Sequence, residues 1–325
     1  MRTAIPLTVL ATALACSLAS APANARARVF VASYGIDSNP CTFGSPCRNF
    51  QQAVNVVDAG GEVTAIDSAG FGPITINKAV TITSPDGVEA GIVPPTNGTA
   101  ITISAGSSDE IVLRGLTLNG SGVGSNGIVF NSGGSLTITN CVVQNFVFNN
   151  GNGFSGIGIL MQPTSGTSTF AITNTIVANN GGNGIHLPGQ STGTLSVNGA
   201  VDHVVATGNA GDGMAFFHFA AGGSVVVDVS NSVSSNNGFR GVEVESGTGG
   251  TITVSIDSTN MSSNQVSGVA VFGPAQTFFS RSVLTGNKSA YENNTSPNSF
   301  FTYKDNRLIN NGPPAGATLL TATPQ

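Results

Sequence analysis

A glycine followed by alternating apolar residues recurs along most of this chain at a nearly constant interval. Six such glycines are 29, 28, 29, 28 and 27 residues apart, and an earlier one, Gly98, lies 29 residues before the first of them. Because chance alternation would not keep phase over this length, the period predicts a solenoid that winds one turn about every 28 residues. A single turn cannot bury its apolar face, whereas stacked turns share one core. We therefore expect an all-β fold, a right-handed parallel β-helix. The six glycines are Gly127, Gly156, Gly184, Gly213, Gly241 and Gly268.

The turn that begins at Gly213 indicates how each coil is built. Apolar residues alternate just after this glycine, and again in the segments 224–229 and 233–234. Side chains alternate between the two faces of a strand, so Met214 and Val229 should lie inside. The pattern therefore predicts several short strands per coil.

Asparagine recurs with the same period as the repeat glycine. Four asparagines precede the glycine of their coil by four or five residues, namely Asn179, Asn209, Asn236 and Asn264. Asparagine tolerates left-handed backbone, and its amide can bond to the neighbouring coil. Stacked at one corner, these residues would form an asparagine ladder, while independent solvated turns are the other interpretation.

Residues 1–25 have the pattern of a secretory signal peptide. Arg2 precedes an apolar run over residues 5–18, and the segment ends in Ala23-Asn24-Ala25, an Ala-x-Ala cleavage site. The run is short of the roughly 20 residues needed to cross a bilayer, and no later segment is apolar over that length. We expect an exported protein without a membrane span, extracellular or at the cell surface, with the periplasm left open.

Composition excludes several classes of protein. Cleavage after residue 25 would remove one basic residue, Arg2, leaving 10 basic residues against 16 acidic ones and a net charge of −6. An acidic chain of this kind is not expected to bind nucleic acid. Only 8% of the residues are charged, yet valine, isoleucine and leucine recur at alternating positions, which is typical of a folded core rather than of disorder.

The ends of the solenoid call for separate elements, since an uncovered coil end invites further strand pairing. Residues 49–58 read as a short amphipathic helix, with Phe50, Ala53 and Val54 on one side, that caps the N-terminal end. Towards the C-terminus the repeat shortens and becomes aromatic, which would plug the last coil or form a contact surface. We divide the chain into a signal peptide (1–25), an N-terminal cap (26–61), a parallel β-helix (62–310) and a C-terminal tail (311–325).

Three cysteines remain after cleavage. Cys41 and Cys47 lie in a turn-rich loop, and in an exported protein this favours a local disulfide. The loop offers too few ligands for a metal site. Cys141 lies in an apolar strand and reads as a buried small hydrophobe rather than a nucleophile.

The opening of the mature chain carries a family resemblance. Its segments 29–33, 37–40 and 46–54 look like the N-terminal segment common in secreted bacterial members of the pectin-lyase-like superfamily of right-handed parallel β-helix proteins. The resemblance covers residues 29–310, although the cysteine pair departs from the family's usual glycine- and lysine-rich loop. It implies the fold but no single activity, because this scaffold carries lyases, hydrolases, epimerases, tailspikes and adhesins. The motifs of polygalacturonase-like and epimerase-like members are absent, so no catalytic residue is carried over.

The repeat also assigns neighbours on adjacent coils, because equivalent residues stack about 4.8 Å apart. The residue before the coil glycine is Asp212 in one coil and Arg240 in the next, so these two should stack. Glu243 and Glu245 would project from the same face. In so weakly charged a chain, this group stands out as the dense cluster of ionisable residues.

Two interpretations of this cluster stay open. In the first, the cluster is a saccharide site. Glu243 and Glu245 would act as general acid and general base, while Arg240 orients an acidic sugar or stabilises a developing enolate. Asp212 would complete the catalytic set, and His186 and His218 would bind the ligand. As a surface feature, an exposed Asp212–Arg240 pair with solvated glutamates would discourage edge association.

The missing motifs favour a non-catalytic secreted or cell-surface protein that binds polysaccharide or a cell-surface glycan, or that acts as an adhesin. The alternative function is that of a polysaccharide lyase or glycoside hydrolase acting on acidic polysaccharide. We expect no cofactor and no metal ligands for the first function, whereas a pectate-lyase-like reaction would require calcium. The oligomeric state is left open.

Overall fold

Short, regularly repeated strands make up nearly all of the chain that the computed structural model describes, which is residues 26–149, 154–189, 193–247, 249–295 and 299–323. The predicted signal peptide lies outside these residues. One helix and 32 strands occur in the described part of the chain. In chain order they are β1 (Arg28–Val31), α1 (Phe50–Val56), β2 (Gly61–Ala65), β3 (Ala69–Gly70), β4 (Ile74–Ile76), β5 (Val80–Thr83), β6 (Ala90–Ile92), β7 (Thr99–Ser104), β8 (Glu110–Arg114), β9 (Leu116–Asn119), β10 (Asn126–Ser132), β11 (Ser135–Thr139), β12 (Val142–Gln144), β13 (Ile159–Met161), β14 (Gly166–Thr173), β15 (Ile176–Ala178), β16 (Ile185–Leu187), β17 (Leu195–Asp202), β18 (Val205–Thr207), β19 (Met214–His218), β20 (Val225–Ser230), β21 (Val233–Ser235), β22 (Arg240–Ser246), β23 (Ile252–Asp257), β24 (Asn260–Ser262), β25 (Ser267–Gly273), β26 (Gln276–Ser280), β27 (Val283–Thr285), β28 (Ser289–Thr295), β29 (Phe300–Thr302), β30 (Arg307–Ile309), β31 (Ala315–Gly316) and β32 (Leu320–Thr321).

The strands form three parallel sheets, each of which gains one strand per coil. Among the described residues, the first sheet has twelve strands in the order β1-β2-β5-β8-β11-β14-β17-β20-β23-β26-β29-β32. The second sheet has ten, β4-β7-β10-β13-β16-β19-β22-β25-β28-β31, and the third has ten, β3-β6-β9-β12-β15-β18-β21-β24-β27-β30. From β2 onwards, consecutive strands of the chain fall in different sheets, which is the arrangement of a right-handed parallel β-helix and confirms the predicted fold.

Alternation along each strand fills the interior, as the neighbouring strands β20 and β23 illustrate. Val225, Val227 and Val229 are buried, whereas Val226 between them is 46% exposed. In parallel register they stack on Ile252, Val254 and Ile256 of the next coil. The core is therefore a continuous column of branched aliphatic side chains, and every coil depends on its neighbours to cover it.

An asparagine ladder runs along one inner corner of the solenoid. Each rung's amide nitrogen donates to the amide oxygen of the next rung at 2.9 to 3.1 Å. Each amide oxygen also accepts a backbone N–H of the previous coil, as Asn237 does from Asn209 at 3.1 Å. The ladder consists of Asn180, Asn209, Asn237, Asn264, Asn287 and Asn311.

Two of the four predicted ladder positions were wrong by one residue. Asn179 and Asn236 have φ values of 54° and 55°, in the left-handed region, and they form the turn itself. The turn aims the following residue inward, so Asn180 and Asn237 supply the buried amides. Asparagine favours both roles, and its sequence phase alone does not separate them.

The predicted helix lies at the N-terminal end, where α1 buries Phe50, Ala53 and Val54 and packs against β1, β2 and β4. The sheets extend past the bounds predicted for the β-helix, since β1 pairs with β2 and β32 pairs with β29. Apolar residues alternate in the cap segment and in the last coil as well, so strands form at both ends of the solenoid.

The predicted disulfide is confirmed, because Cys41 is bonded to Cys47 with their Cα atoms 4.6 Å apart. Cys141 is a buried free thiol, 1% exposed. Burial raises the pKa of its thiol to about 11, so it packs as an apolar side chain.

Candidate functional site

Four charged residues meet on the outer face of the second sheet, and we name them the Arg240 cluster: Asp212, Arg240, Glu243 and Glu292. Strand β22 aims Val242 and Val244 into the core, so Glu243 points outward between them. The register runs from Glu243 through Ala270 to Glu292, which places the two glutamates two coils apart on the same column. The small alanine between them leaves room for the Arg240 side chain.

The Arg240 guanidinium is held on several sides. Its Nε and Nη2 donate to the two carboxylate oxygens of Glu292 at 3.3 and 3.1 Å, and its Nη1 donates to Glu243 at 3.2 Å. The Phe239 and Phe272 rings lie 4.3 and 4.9 Å from the guanidinium carbon, within range of cation–π attraction. Burial opposes the charge on Arg240, but the Glu292 hydrogen bonds and the surrounding carboxylates outweigh it and raise its pKa.

Asp212 and Glu243 form the acidic half of the cluster. Asp212 accepts the backbone N–H of Arg240 at 2.9 Å, and its side chain is hydrogen-bonded to Glu243. Burial, followed by the nearby charge of Asp212, raises the pKa of Glu243 to about 8. Burial raises the pKa of Asp212 as well. The pair therefore retains a proton at neutral pH, because two buried carboxylates in contact do not both ionise readily.

The structure brings the predicted residues together, but they are more buried than predicted. The predicted stacking of Asp212 beside Arg240 is present, yet the expectation of an exposed pair with solvated glutamates was wrong. Asp212 and Glu243 are 4% and 6% exposed, because the rings of Phe239 and Phe272 and the neighbouring coils enclose them. Glu245 lies on the same outer face in register with Phe272, half-buried, and burial raises its pKa.

Glu292 was absent from the predicted set. It belongs to the coil after Gly268, where the glycine that marks each repeat is missing and Ser289-Ala290-Tyr291 takes its place. The ladder supplied a signal, since Asn287 follows Asn264 by 23 residues and continues its phase.

The two predicted ligand-binding histidines lie on opposite faces of the second sheet. His186 points outward between the rings of Phe154 and Phe217, whose centroids are 5.1 and 5.2 Å away, and burial lowers its pKa to about 4. His218 follows the inward phase of Met214 and Phe216 and is fully buried. Burial lowers its pKa too. His218 therefore cannot contact a ligand on the outer face, because strand alternation turns it into the core.

A groove runs from the outer face of β7 towards the Arg240 cluster, and we name it the axial groove. It consists of a cavity of about 440 Å³ and a second of about 180 Å³, which share Phe154. The Asn126 amide donates to the Phe154 backbone carbonyl at 3.0 Å and so fixes the backbone that carries this ring, which lies 5.1 Å from the ring of His186. The lining residues are Thr99, Thr102, Asn126, Val129, Asn131, Phe148, Phe154, Ser155, Ile157, Leu160, Gln162, Gly182, Asn183 and His186.

Calcium fits the Arg240 cluster poorly. Both oxygens of Glu292 accept from the guanidinium, Glu243 accepts from it as well, and Asp212 is bonded to Glu243 and to backbone. A divalent ion could bind these carboxylates only by displacing the Arg240 guanidinium, which already pairs with Glu243 and Glu292. Elsewhere in the described ranges, no three His, Cys, Asp or Glu side chains converge to hold a metal ion. No helix in that part of the chain has the length and apolar character to cross a membrane.

Comparison with known proteins supports the fold alone. No protein-family model matches the chain, and no curated protein matches it. Among solved structures, pectate lyase Pel9A is similar with a TM-score of 0.63 and 14% identity, over 91% of this chain and 78% of that one. The A-module of Azotobacter vinelandii mannuronan C-5 epimerase AlgE4 has a TM-score of 0.48 and 15% identity, over 82% of this chain and 91% of its own. An alginate lyase from Paenibacillus sp. str. FPU-7 has a TM-score of 0.46 and 11% identity, over 89% and 99%.

The chain thus has a right-handed parallel β-helix fold, similar to that of pectate lyase Pel9A. Its charged outer-face cluster is largely buried and closed by its own ion pairs, and an aromatic- and amide-lined groove lies beside it.

Proposed function

We propose that this protein is exported and binds a polysaccharide lengthwise in the axial groove, without cleaving it. The main observation is the lining of the groove, in which two exposed phenylalanine rings lie among amide side chains of three successive coils. Saccharide units repeat along a chain just as coils repeat along a solenoid, so one strand of glycan can contact several equivalent positions.

The aromatic side chains of the groove suit the apolar faces of sugar rings. Phe148 and Phe154 are 59% and 48% exposed and line the same cavity, and grouped exposed apolar side chains mark contact sites more often than single ones do. Their π faces carry partial negative charge and attract the C–H groups of a pyranose ring. Phe154 is held in place by Asn126, so little ordering entropy is lost on binding.

The amides supply matching hydrogen bonds. The Gln162 amide donates to Asn131 at 2.8 Å, and the Asn131 amide donates to Ser104 at 3.1 Å. This chain of amides is oriented before a ligand arrives, and its remaining donors and acceptors face the groove. Hydroxyl groups, which both donate and accept, are the natural partners of such a row.

The Arg240 cluster favours binding over catalysis. Arg240 already satisfies Glu243 and Glu292, so it has no charge free for the carboxylate of an acidic sugar. A catalytic base must reach the proton it removes, whereas Asp212 and Glu243 are nearly inaccessible. The cluster acts in this proposal as a rigid wall at the end of the groove.

One observation favours a second candidate function, cleavage of acidic polysaccharide. With its pKa raised to about 8 by burial and by Asp212, Glu243 holds a proton at neutral pH, as a general acid must. The half-buried Glu245 would then act as the base beside it. The similar fold of a pectate lyase is compatible with this candidate but does not assign these residues a role.

Export is supported by the Cys41–Cys47 disulfide, since such bonds persist in oxidising compartments. An exported solenoid meets glycans of cell walls, matrices and cell surfaces, the class of partner that the groove suits.

Binding to a panel of oligosaccharides, measured by isothermal titration calorimetry, tests the proposal. We expect Phe154→Ala to weaken binding about tenfold, because truncating an aromatic anchor typically costs more than 1 kcal/mol. Ile176→Ala, which removes an exposed side chain on the third sheet, should leave it unchanged. Equal affinities of the two variants would contradict binding in the axial groove.

The same samples separate the two candidates. Release of reducing ends or of an unsaturated product by the wild type, abolished in Glu243→Gln, would replace the binding proposal with the enzymatic one. Binding without release supports the proposal as stated.

A further inference from the structure

A separate cavity of about 480 Å³ lies on the outer face of the first sheet, well apart from the axial groove, which belongs to the second sheet. We name it the first-sheet cavity. Strands β20, β23 and β26 supply most of its lining, and the segment after β29 closes one side. Its lining residues are Asp228, Ser230, Ser255, Asp257, Phe278, Ser280, Arg281 and Tyr303.

Two columns of outward side chains build this cavity. In one column Asp228 lies in register with Ser255, then Phe278, then Phe301. Phe278 and Phe301 stack with their centroids 5.1 Å apart and their planes only 14° from parallel. Because the two rings are stacked, their apolar platform is the one face of Phe278 that turns away from Phe301, towards Ser255 and Asp228 of the same column.

The second column is polar and held in place by its own hydrogen bonds. Asp257 accepts from the Ser280 hydroxyl at 2.6 Å and from the Arg281 guanidinium. The Arg281 backbone N–H donates to Asp305 at 3.1 Å. These bonds fix the polar edge beside the aromatic platform, so that its remaining acceptors are oriented in advance.

One carboxylate in the cavity is left free. Asp228 is exposed, and it has no hydrogen-bond or ion-pair partner among the described residues. Arg281 is neutralised by Asp257. With Asp305 adjoining the cavity, the local charge is negative, which disfavours an anionic ligand.

We infer that the first-sheet cavity is a second saccharide-binding site, which takes an uncharged hexopyranose unit of a glycan. The platform of Phe278 and Phe301 offers a face for the sugar's C–H groups. The carboxylate of Asp228 is an acceptor that can receive two neighbouring hydroxyl groups at once. Uronic acids are repelled by the same carboxylates, so the site selects neutral sugars.

This inference does not depend on the axial groove, because the two sites share no residue and lie on different sheets. A protein with both sites would hold two glycan chains, or two parts of one chain wrapped around the solenoid. Phe154→Ala therefore separates the two: it should weaken groove binding and leave binding in the first-sheet cavity unchanged.

Tyrosine fluorescence gives this cavity its own signal. The chain has no tryptophan and three tyrosines, of which Tyr303 lines the cavity. Titration of the full mature chain with cellohexaose and mannohexaose should change the emission with at least one of these neutral probes. Tyr303→Phe should remove that change while calorimetry still detects binding, because the ring is kept.

Affinity measurements on variants complete the test. We expect Phe278→Ala and Asp228→Ala each to weaken binding of the responding probe about tenfold, and Ile176→Ala to leave it unchanged. Asp228 is exposed, so its replacement is not expected to disturb folding. The inference is overturned if no neutral probe binds, if both variants bind as the wild type does, or if trigalacturonate binds as tightly as the neutral probes.

Discussion

Arg240 connects coils that are not adjacent, since its guanidinium joins Glu243 of its own strand to Glu292 two coils further on. Replacing it with methionine would leave these carboxylates buried without a counter-charge. We expect Arg240→Met to lower the free energy of unfolding by about 3 kcal/mol, which is typical of a broken buried ion pair. Denaturant unfolding followed by circular dichroism measures the change.

Arg28→Met is the matched control, because it removes a guanidinium that is 58% exposed and paired with Glu62. Exposed pairs contribute little, so its unfolding midpoint should stay close to that of the wild type. Equal midpoints for Arg240→Met and Arg28→Met would mean that the cluster does not stabilise the fold.

The acidic pair predicts a pH dependence with a definite sign. In the unfolded chain Glu243 would release its proton near the ordinary value of 4.5, whereas burial and Asp212 raise the native pKa to about 8. The native state therefore binds more protons than the unfolded state in this interval, and stability falls as pH rises. Burial lowers the native pKa of His186 to about 4 and that of His218 as well, so both oppose this change near pH 6.5, where each unfolded imidazole still binds about half a proton. Their opposing effect fades towards pH 8 and is smaller than that of the whole proton on Glu243.

Urea unfolding at pH 6.5 and pH 8 measures this slope, which cannot exceed about 1.4 kcal/mol per pH unit for one proton. Glu243→Gln should flatten it, while Glu110→Gln, at an exposed position on the first sheet, should preserve it. Stability that rises with pH over this interval in the wild type would refute the shared proton.

The Arg240 cluster also shows which properties of single residues could be predicted from the sequence and which could not. Stacking of Asp212 on Arg240 followed from the repeat, because register depends only on phase. The burial of the cluster did not, since Phe239 lies in a loop and Phe272 in the next coil. Their rings cover the guanidinium through contacts that alternation within one strand does not encode.

Among the repeated elements, the asparagine ladder makes the most hydrogen bonds per side chain. Asn237 accepts from the backbone and amide of Asn209, each at 3.1 Å, and donates to Asn264 at 3.1 Å. We expect Asn237→Ala to cost about 3 kcal/mol, because it leaves several buried polar groups without partners. Thermal and denaturant unfolding would measure the loss.

Asn198→Ala serves as the ladder's control, because Asn198 is exposed on the first sheet. It should unfold at the wild-type midpoint. If the two variants behaved alike, the ladder would be a consequence of the corner geometry and not a source of its stability.

Elements were predicted best where two signals agreed. Glycine phase and apolar alternation together located the strands of the second sheet, such as β19, β22 and β25. The ladder positions rested on asparagine alone and were half right, because a left-handed turn residue and a buried rung are adjacent and both favour asparagine. His218 was predicted to bind the ligand, but it has the same inward phase as Met214 and is buried in the core.

The molecule as a whole is quasi-one-dimensional, since the strands of each coil pair with those of the coils before and after it. Removing one complete coil should therefore bring together two coils whose strands can still pair in register. Val233 pairs with Asn260 in the third sheet, so deletion of residues 233–259 joins Ser232 to Asn260 with every strand still in phase. The ladder then passes from Asn209 to Asn264.

We expect the 233–259 deletion to keep a β-type circular dichroism spectrum and a single cooperative unfolding transition at somewhat lower stability. Deleting residues 233–260, one residue more, shifts β24 by one position and turns the buried Met261 outward. A one-residue slip exchanges the two faces of a strand, so this variant should aggregate or lose its transition. If both deletions folded equally well, register would not be controlling the stacking of coils.

The in-register deletion also decides between the two candidate functions of the whole molecule. It removes Arg240, Glu243 and Glu245 but leaves Phe154 and His186 in the axial groove. If the groove binds glycan by itself, affinity in calorimetry should persist within about threefold, since distant sites contribute nearly independently. If binding disappears while the fold is intact, the coil that carries Arg240 is part of the site, and the enzymatic candidate becomes the better explanation of the cluster.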